Sequence, residues 1–337
     1  MKTNIKRTLV LLSLSLLSLG ASAQYATQIV VTEIANEALS EKINKNVSDL
    51  LTAFNVAEHE KQAPALAAID MTDEARTVVT KLWADCPFTC LDNQIVERAV
   101  LQPSKEYQIR KIHIVMKPIE NVSKDISWKR YQEGVVTINA NGTITNFHLA
   151  LDPELYISVL SSARAVEDLE RRMLILEYVE RFRNAYNLKD MAFLEQIYSD
   201  DALIITGKVV KAVKTDAAVT SLDNEKIEYS RKTKKQYLSD LARVFANNER
   251  INVTFDEIKV VRHPARAEFY GVTLKQSWSS FKTGNAKGYS DIGWLFLLWD
   301  FSNPDAPQIH VRTWQPTEYQ GRPLPEEEIF SLEDFDC

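Results

Sequence analysis

Three residues near the C-terminus carry the groups best suited to chemistry: His310, Arg312 and Trp314. Spaced by two along a strand, they share one face, and Ile309, Val311 and Thr313 take the other. An imidazole titrates near neutral pH and can serve as general acid or base. Asp291 or Asp201 could orient it, and the Arg312 guanidinium could hold an anionic ligand group. A structural reading of the same residues stays open beside this one. Trp278, Trp294 and Trp314 would fill a core, and Arg312 would pair with a carboxylate such as Asp291. His310 would then be a satisfied strand histidine. On that reading, removing Arg312 strands a buried charge and costs roughly 3–5 kcal/mol.

No motif names a reaction. G-x-S-x-G, H-E-x-x-H and a phosphate-cradling glycine loop are all missing, in a chain with only 9 glycines. Cys86 and Cys90 flank Pro87-Phe88-Thr89, a disulfide candidate in an oxidising compartment, and the third cysteine, Cys337, is the last residue. Three intervening residues do not make a redox C-x-x-C, and no further Cys or His stands near at zinc-ligand spacing. The expectation is neither metal nor cofactor.

The N-terminus reads as an export signal covering residues 1–23. Lys2, Lys6 and Arg7 form a positive start, Leu9 to Leu19 an apolar core broken only by serines, and Gly20-Ala21-Ser22-Ala23 a cleavage site before Gln24. The apolar run is far short of the roughly 20 residues that span a bilayer. No later segment is long enough either, so the expectation is an exported protein, periplasmic or extracellular, with no transmembrane segment after signal removal. The chain holds 40 Lys+Arg against 46 Asp+Glu; without the signal this becomes 37 against 46. Such an acidic chain is a poor generic nucleic-acid binder, which needs many phosphate contacts.

The 337 residues suffice for two domains of ordinary size. Over residues 24–160, apolar residues at helical spacing from Leu39 to Phe54 predict one helix, and Ala75, Val78, Val79 and Leu82 a second. Strand-like runs then cover Tyr107 to Met116, Tyr131 to Ile138 and Thr143 to Leu149. Asn141-Gly142 marks a hairpin between the last two. A connector leads to a long helix from Val166 to Tyr186 and a shorter one over Asp190 to Tyr198. Ala202 to Thr206 reads as a strand, the Lys-rich stretch Lys208 to Lys235 as a strand end and mobile loop, and Thr233 to Asn247 as a helix. Long strands follow over Ile251 to Trp278, Tyr289 to Phe301 and Gln308 to Gln315. The acidic tail, residues 317–337, lacks sustained periodicity, and its removal is expected to leave the fold nearly unchanged.

Two segments carry a family resemblance: ILEYVERFRNAYNLKDMAFLEQIYSDDALIITG, and YSDIGWLFLLWDF with the later PQIHVRTWQP. Residues 166–316 resemble the nuclear transport factor 2-like superfamily, which includes SnoaL-like cyclases and ketosteroid isomerases. Asn187, Asp190, Ser199, Asp200, Asp201 and Ala202 match its helix–turn–helix–strand junction. The resemblance implies an α+β fold in which a strongly curved sheet wraps the long helix into a cone able to hold a small ligand. Tyr270, Gln276, Trp278, Asp291, Trp294, His310, Arg312 and Trp314 are the candidate lining. The first domain, also α+β, is a candidate diverged copy. The isomerases' Asp base and Tyr/Asp oxyanion pair find no residue-by-residue match here. Leu295 to Phe301 is apolar on both faces, so a partner surface should cover the side away from the helices. That surface would be the first domain, a second copy or another envelope protein. The leading expectation is a non-enzymatic binding or interaction protein taking a small apolar or anionic ligand. The alternative is a proton-transferring enzyme of the same cone fold.

Overall fold

The computed structural model describes residues 24–102, 104–117, 130–162, 166–211, 225–283 and 286–335. The expected signal segment and Cys337 lie outside them. The chain divides into two compact units, Met1–Ala150 and Leu151–Cys337, and both are α+β.

In the first unit, helix α1 (Glu37–Glu60) is capped by the Asn36 side chain, which accepts from the Leu39 N–H. Helix α2 (Asp73–Asp85) is capped in the same way by Thr72. The sheet contains β1 (Gln28–Thr32), β3 (Gln94–Leu101), β4 (Tyr107–Met116), β5 (Tyr131–Ile138) and β6 (Ile144–Leu149) in that order, with β2 (Phe88–Cys90) paired to β4. Gly142 turns the β5–β6 hairpin at φ +81°, a backbone state that favours glycine. Three of these strands escape the sequence pattern. β2 has three residues, β1 pairs in parallel with β3 from far along the chain, and β3 exposes Val96 and Leu101 to solvent. Phe54, Trp83, Phe88 and Phe147 fill the space between helices and sheet, with Phe54 and Phe88 centroids 4.7 Å apart.

Cys86 and Cys90 are both buried, and no disulfide joins them. This corrects the disulfide expectation. Cys86 closes α2 with its sulfur 3.7 Å from the Pro87 carbonyl, whereas the Cys90 thiol turns to the Asp92 carbonyl at 3.4 Å. Burial raises the Cys90 thiol further from reactivity.

The second unit opens with α3 (Pro153–Ser161), the long α4 (Val166–Asn187) and α5 (Met191–Ile197). Its sheet runs β8 (Glu225–Lys232), β7 (Tyr198–Lys211), β12 (Gln308–Pro316), β11 (Ala286–Asp300), β10 (Phe269–Lys282) and β9 (Arg250–Arg262). Only β7 and β12 pair in parallel. Helix α4 packs against β9 at one edge, and α6 (Lys234–Asn247) packs against β7 and β8 at the other. The sheet therefore curves around the helices, as the resemblance implies. The Lys-rich stretch expected as a loop is in part the β7–β8 hairpin, held by cross-strand pairs such as Lys208–Glu228 at 3.1 Å.

Both units follow one plan. A long helix leads to a segment that pairs in parallel with the last strand, then a helix, then a four-stranded antiparallel meander. In the first unit the parallel segment shrinks to one bridge, Met71 with Ile144.

The outer face of the second sheet needs no partner at its centre. Phe296, Leu298 and Val311 form a small core there, and Phe330, Leu332 and Phe335 of the acidic tail pack onto it. Phe335 stacks on Phe296 with centroids 5.3 Å apart. The Gln315 amide donates to the Glu328 carbonyl and accepts from the Phe330 N–H. The tail is thus docked, contrary to the reading of residues 317–337 as dispensable. Three large apolar residues spread over six positions give no periodicity, yet they match the surplus apolar face of Leu295 to Phe301.

Candidate functional site

Side-chain alternation in β10, β11 and β12 decides which groups reach the concave face. Tyr270, Val272 and Leu274 point inward on β10, and Leu295, Leu297 and Trp299 on β11. Gln276 and Trp278 continue the first series and Asp291 the second, because Trp278 pairs with Asp291 and Gln276 with Gly293. On β12, Arg312 pairs with Leu297 and Trp314 with Leu295, so both point inward too.

His310 does not join them. The register between β11 and β12 jumps so that Leu298 faces Val311 and Trp299 faces Ile309, leaving His310 as the extra residue of a β-bulge. The bulge reverses the expected parity and puts the imidazole on the outer face, against Phe269 at 5.7 Å between ring centroids. It lies between Asp201, 3.7 Å from Nδ1, and Asp300, 3.6 Å from Nε2. Asp201 is 82 % exposed, and its carboxyl is held low chiefly by the Ser199 hydroxyl. Trp294 also belongs outside the cone, with the Lys275 ammonium 5.7 Å from its ring. Tyr270 faces inward but serves a different cluster. Its hydroxyl donates to Asp168, which is paired with Arg172 at 3.0 Å in a buried ion pair on α4. That carboxylate and burial together push the Tyr270 hydroxyl up to about 12.

Gln276, Trp278, Asp291, Arg312 and Trp314 therefore converge, and three tyrosines meet them from the helical side. Tyr186 of α4 shares hydrogen bonds with Tyr198 at 3.0 Å and with Tyr237 of α6 at 2.6 Å. Arg312 lies 5.0 Å from the Tyr237 ring centroid and also bonds to Tyr186. Burial drives the Tyr186 and Tyr198 hydroxyls far upward, so both are neutral at physiological pH. Burial works against the Arg312 charge and the surrounding phenolic oxygens work for it, and as a guanidinium it stays protonated. The tyrosines are legible in retrospect, since Tyr237, Leu241 and Phe245 recur at four and are all buried.

The interior is incompletely satisfied. Gln276 Oε1, Asp291 Oδ1, Arg312 Nε and Nη1, and Trp314 Nε1 are buried without a hydrogen-bond partner. No carboxylate lies within ion-pair distance of Arg312 among the described residues, so the expected Arg312–Asp291 contact pair is absent. Asp291 instead accepts from the Tyr289 hydroxyl at 2.7 Å. Burial raises the Asp291 carboxyl, opposed by the Tyr289 hydrogen bond and the field of Arg312. A cavity of about 520 Å³ opens beside this end of the cone, lined by Val244, Asn248, Trp278, Ser280, Lys282, Gly288 and Tyr289. Among the described residues no cluster of His, Cys, Asp and Glu could hold a metal ion.

Gly293 keeps the Trp314 indole in place. A Cβ there would stand 2.2 Å from Trp314 Nε1 and 2.6 Å from the Gln315 carbonyl oxygen. The backbone contact cannot be relieved by a rotamer change, so Gly293→Ala should cost about 2–3 kcal/mol, at the upper end for overpacking. It should also blue- or red-shift the tryptophan emission. Urea denaturation followed by fluorescence checks both, and an unshifted midpoint would contradict the close approach.

No protein-family model matches the chain, and no curated protein matches it. Several solved structures do match part of it. The Kfla4162 protein from Kribbella flavida is 10% identical over 44% of this chain and 91% of its own, with a TM-score of 0.33. A nuclear transport factor 2-like superfamily protein from Salmonella enterica is 10% identical over 44% of this chain and 92% of its own, at 0.33. ActVI-ORFA from Streptomyces coelicolor is 8% identical over 42% and 94%, at 0.31. The likeness is one of fold. It says nothing of what the chain binds or does.

Proposed function

We propose that the second unit is a binding module for a small organic molecule held in its cone. The protein carrying it is exported to the periplasm or beyond and acts by binding rather than catalysis. The observation that supports this is the cluster of five unpartnered polar atoms on three adjacent strands. Leaving a buried polar group unpaired costs about 1–3 kcal/mol, against a total stability of only ~5–15 kcal/mol for a domain. In the first unit Phe54, Trp83, Phe88 and Phe147 are buried between helices and sheet. A ligand that supplies the missing partners would remove the penalty. Binding rather than catalysis is favoured because His310, the expected general acid or base, lies on the outer face. Export rests on residues 1–23 alone; the mature chain is expected to start at Gln24, which N-terminal sequencing of the exported protein would check.

Native mass spectrometry of the full chain, purified without added ligand, tests the binding reading. A small-molecule adduct that disappears on denaturation is the expected result. Apoprotein alone, with no adduct formed on soaking with a mixed library of organic acids, amines and neutral aromatics, would contradict it.

One observation favours the enzymatic alternative: Asp291 combines a raised pKa with an unpartnered inward oxygen, as a general base requires. Its titration also has a consequence for stability. A carboxyl raised by folding contributes stability that is fully present below its unfolded pKa and lost as pH rises through the folded value. Asp291→Asn should therefore flatten the stability curve above about pH 4, the ordinary carboxylate range. Urea midpoints across acid to neutral pH measure this, and an unchanged slope would show that Asp291 titrates normally.

A further inference from the structure

We propose that the molecule taken up by this cone is a hydroxylated organic acid, its carboxylate on Arg312 and its hydroxyl on the Gln276–Asp291 end. The inference rests on the binding reading above and adds the chemical class. Each unpartnered atom asks for a particular complement. Arg312 Nε and Nη1 and Trp314 Nε1 can only donate, so the ligand must bring acceptors to them. Arg312 also carries a full charge beside the neutral Tyr186 and Tyr198, and no carboxylate among the described residues contacts it, so the acceptor that suits it best is itself negative. Gln276 Oε1 can only accept and lies on the inward face beside Asp291, one strand over. A hydroxyl there would donate its one proton to the amide oxygen and accept from Asp291 in its protonated form, which burial favours.

The body between these ends must be apolar and flat. Trp278 and Tyr186 meet edge to face at 5.7 Å, and Phe245 and Tyr237 flank Tyr186 from α6. An aromatic body meets such ring edges more favourably than a flexible chain does. The adjoining cavity of about 520 Å³ shares Trp278 with this interior. Lys282 on its wall adds a positive charge on the approach, in a chain whose net charge is −6.

Isothermal titration of the full chain with 4-hydroxybenzoate, benzoate and benzamide tests the class, because the three share one ring and differ in charge and hydroxyl. 4-Hydroxybenzoate should bind about 5–10-fold more tightly than benzoate, as one added buried hydrogen bond allows. Benzamide should bind at least ~10-fold more weakly than benzoate, since a charge-assisted bond is lost. Arg312→Met should erase the preference for acid over amide, and Arg312→Lys should retain part of it. Gln276→Leu should erase the gain from the hydroxyl while leaving the acid preference. Circular dichroism confirms folding of each variant. Benzamide binding as tightly as benzoate would overturn the assignment of an acid and leave the cone as a binding site. Equal affinity for benzoate and 4-hydroxybenzoate would overturn the hydroxyl end. Failure of all three to bind the wild-type chain would overturn the class, and only the absence of a native adduct as well would overturn the site.

Discussion

Arg312→Met should make the ligand-free protein more stable, by about 1–2 kcal/mol, while removing its affinity for organic acids. Read from sequence as one half of a buried ion pair, Arg312 would instead be costly to remove. The structure reverses the sign. Arg312 is 6 % exposed, and among the described residues it has no carboxylate in contact and two of its nitrogens lack a partner. Its compensation is a hydrogen bond to Tyr186 and the Tyr237 ring face, together worth roughly 2–3 kcal/mol. Taking a guanidinium out of water costs several kcal/mol even after relaxation. Methionine fills a similar volume and incurs no such penalty. Urea denaturation of wild type and variant decides the matter. A loss of more than about 2 kcal/mol would mean that Arg312 holds the fold together, and the site would lose its anchor.

Deleting the tail from Pro325 onward should lower stability by about 3–5 kcal/mol and promote self-association. Phe330, Leu332 and Phe335 are partly buried on Phe296, Leu298 and Val311, and each contributes on the order of 1–2 kcal/mol. Removing them exposes an apolar patch at the centre of the sheet. The Lys259–Glu326 pair is also lost, but an exposed ion pair adds little. Calorimetry should show a fall of roughly 10 °C, at about 2–4 °C per kcal/mol for a unit of this size. Size-exclusion chromatography should show dimers or larger species. A truncated chain that melts within about 3 °C of the full one and stays monomeric would show that the tail rests on the sheet without stabilising it.

The sequence made the scaffold legible where periodicity was long and local. Helices α1, α4 and α6, the Asn141-Gly142 hairpin and the shared face of Tyr270, Gln276 and Trp278 on β10 all follow from spacing. Features set by distant pairing were hidden. β1 exists only because β3 offers an edge, and the extra residue at His310 depends on how β11 and β12 are registered. A single bulge was enough to divide the expected His310, Arg312 and Trp314 face between two sides of the sheet. Of the expected lining, Gln276, Trp278, Asp291, Arg312 and Trp314 meet inside. Trp294 and His310 lie elsewhere, and Tyr270 serves the Asp168–Arg172 pair. The tail was missed for a thermodynamic reason. Its few apolar residues gain their burial from a sheet face that the sequence pattern assigned to the first domain or another molecule.

The side-chain N–H signals inside the cone report most directly on whether it binds a ligand. The indole protons of Trp278 and Trp314 and the Arg312 Nε proton can be followed by ¹H–¹⁵N NMR while benzoate is added to the full chain. The expected result is a saturable shift of all three at one common affinity. The Arg312 and Trp314 protons should move downfield as their missing acceptor arrives. Shifts confined to exposed lysines or to the first unit, with these three signals unmoved at saturation, would contradict a ligand site in the cone.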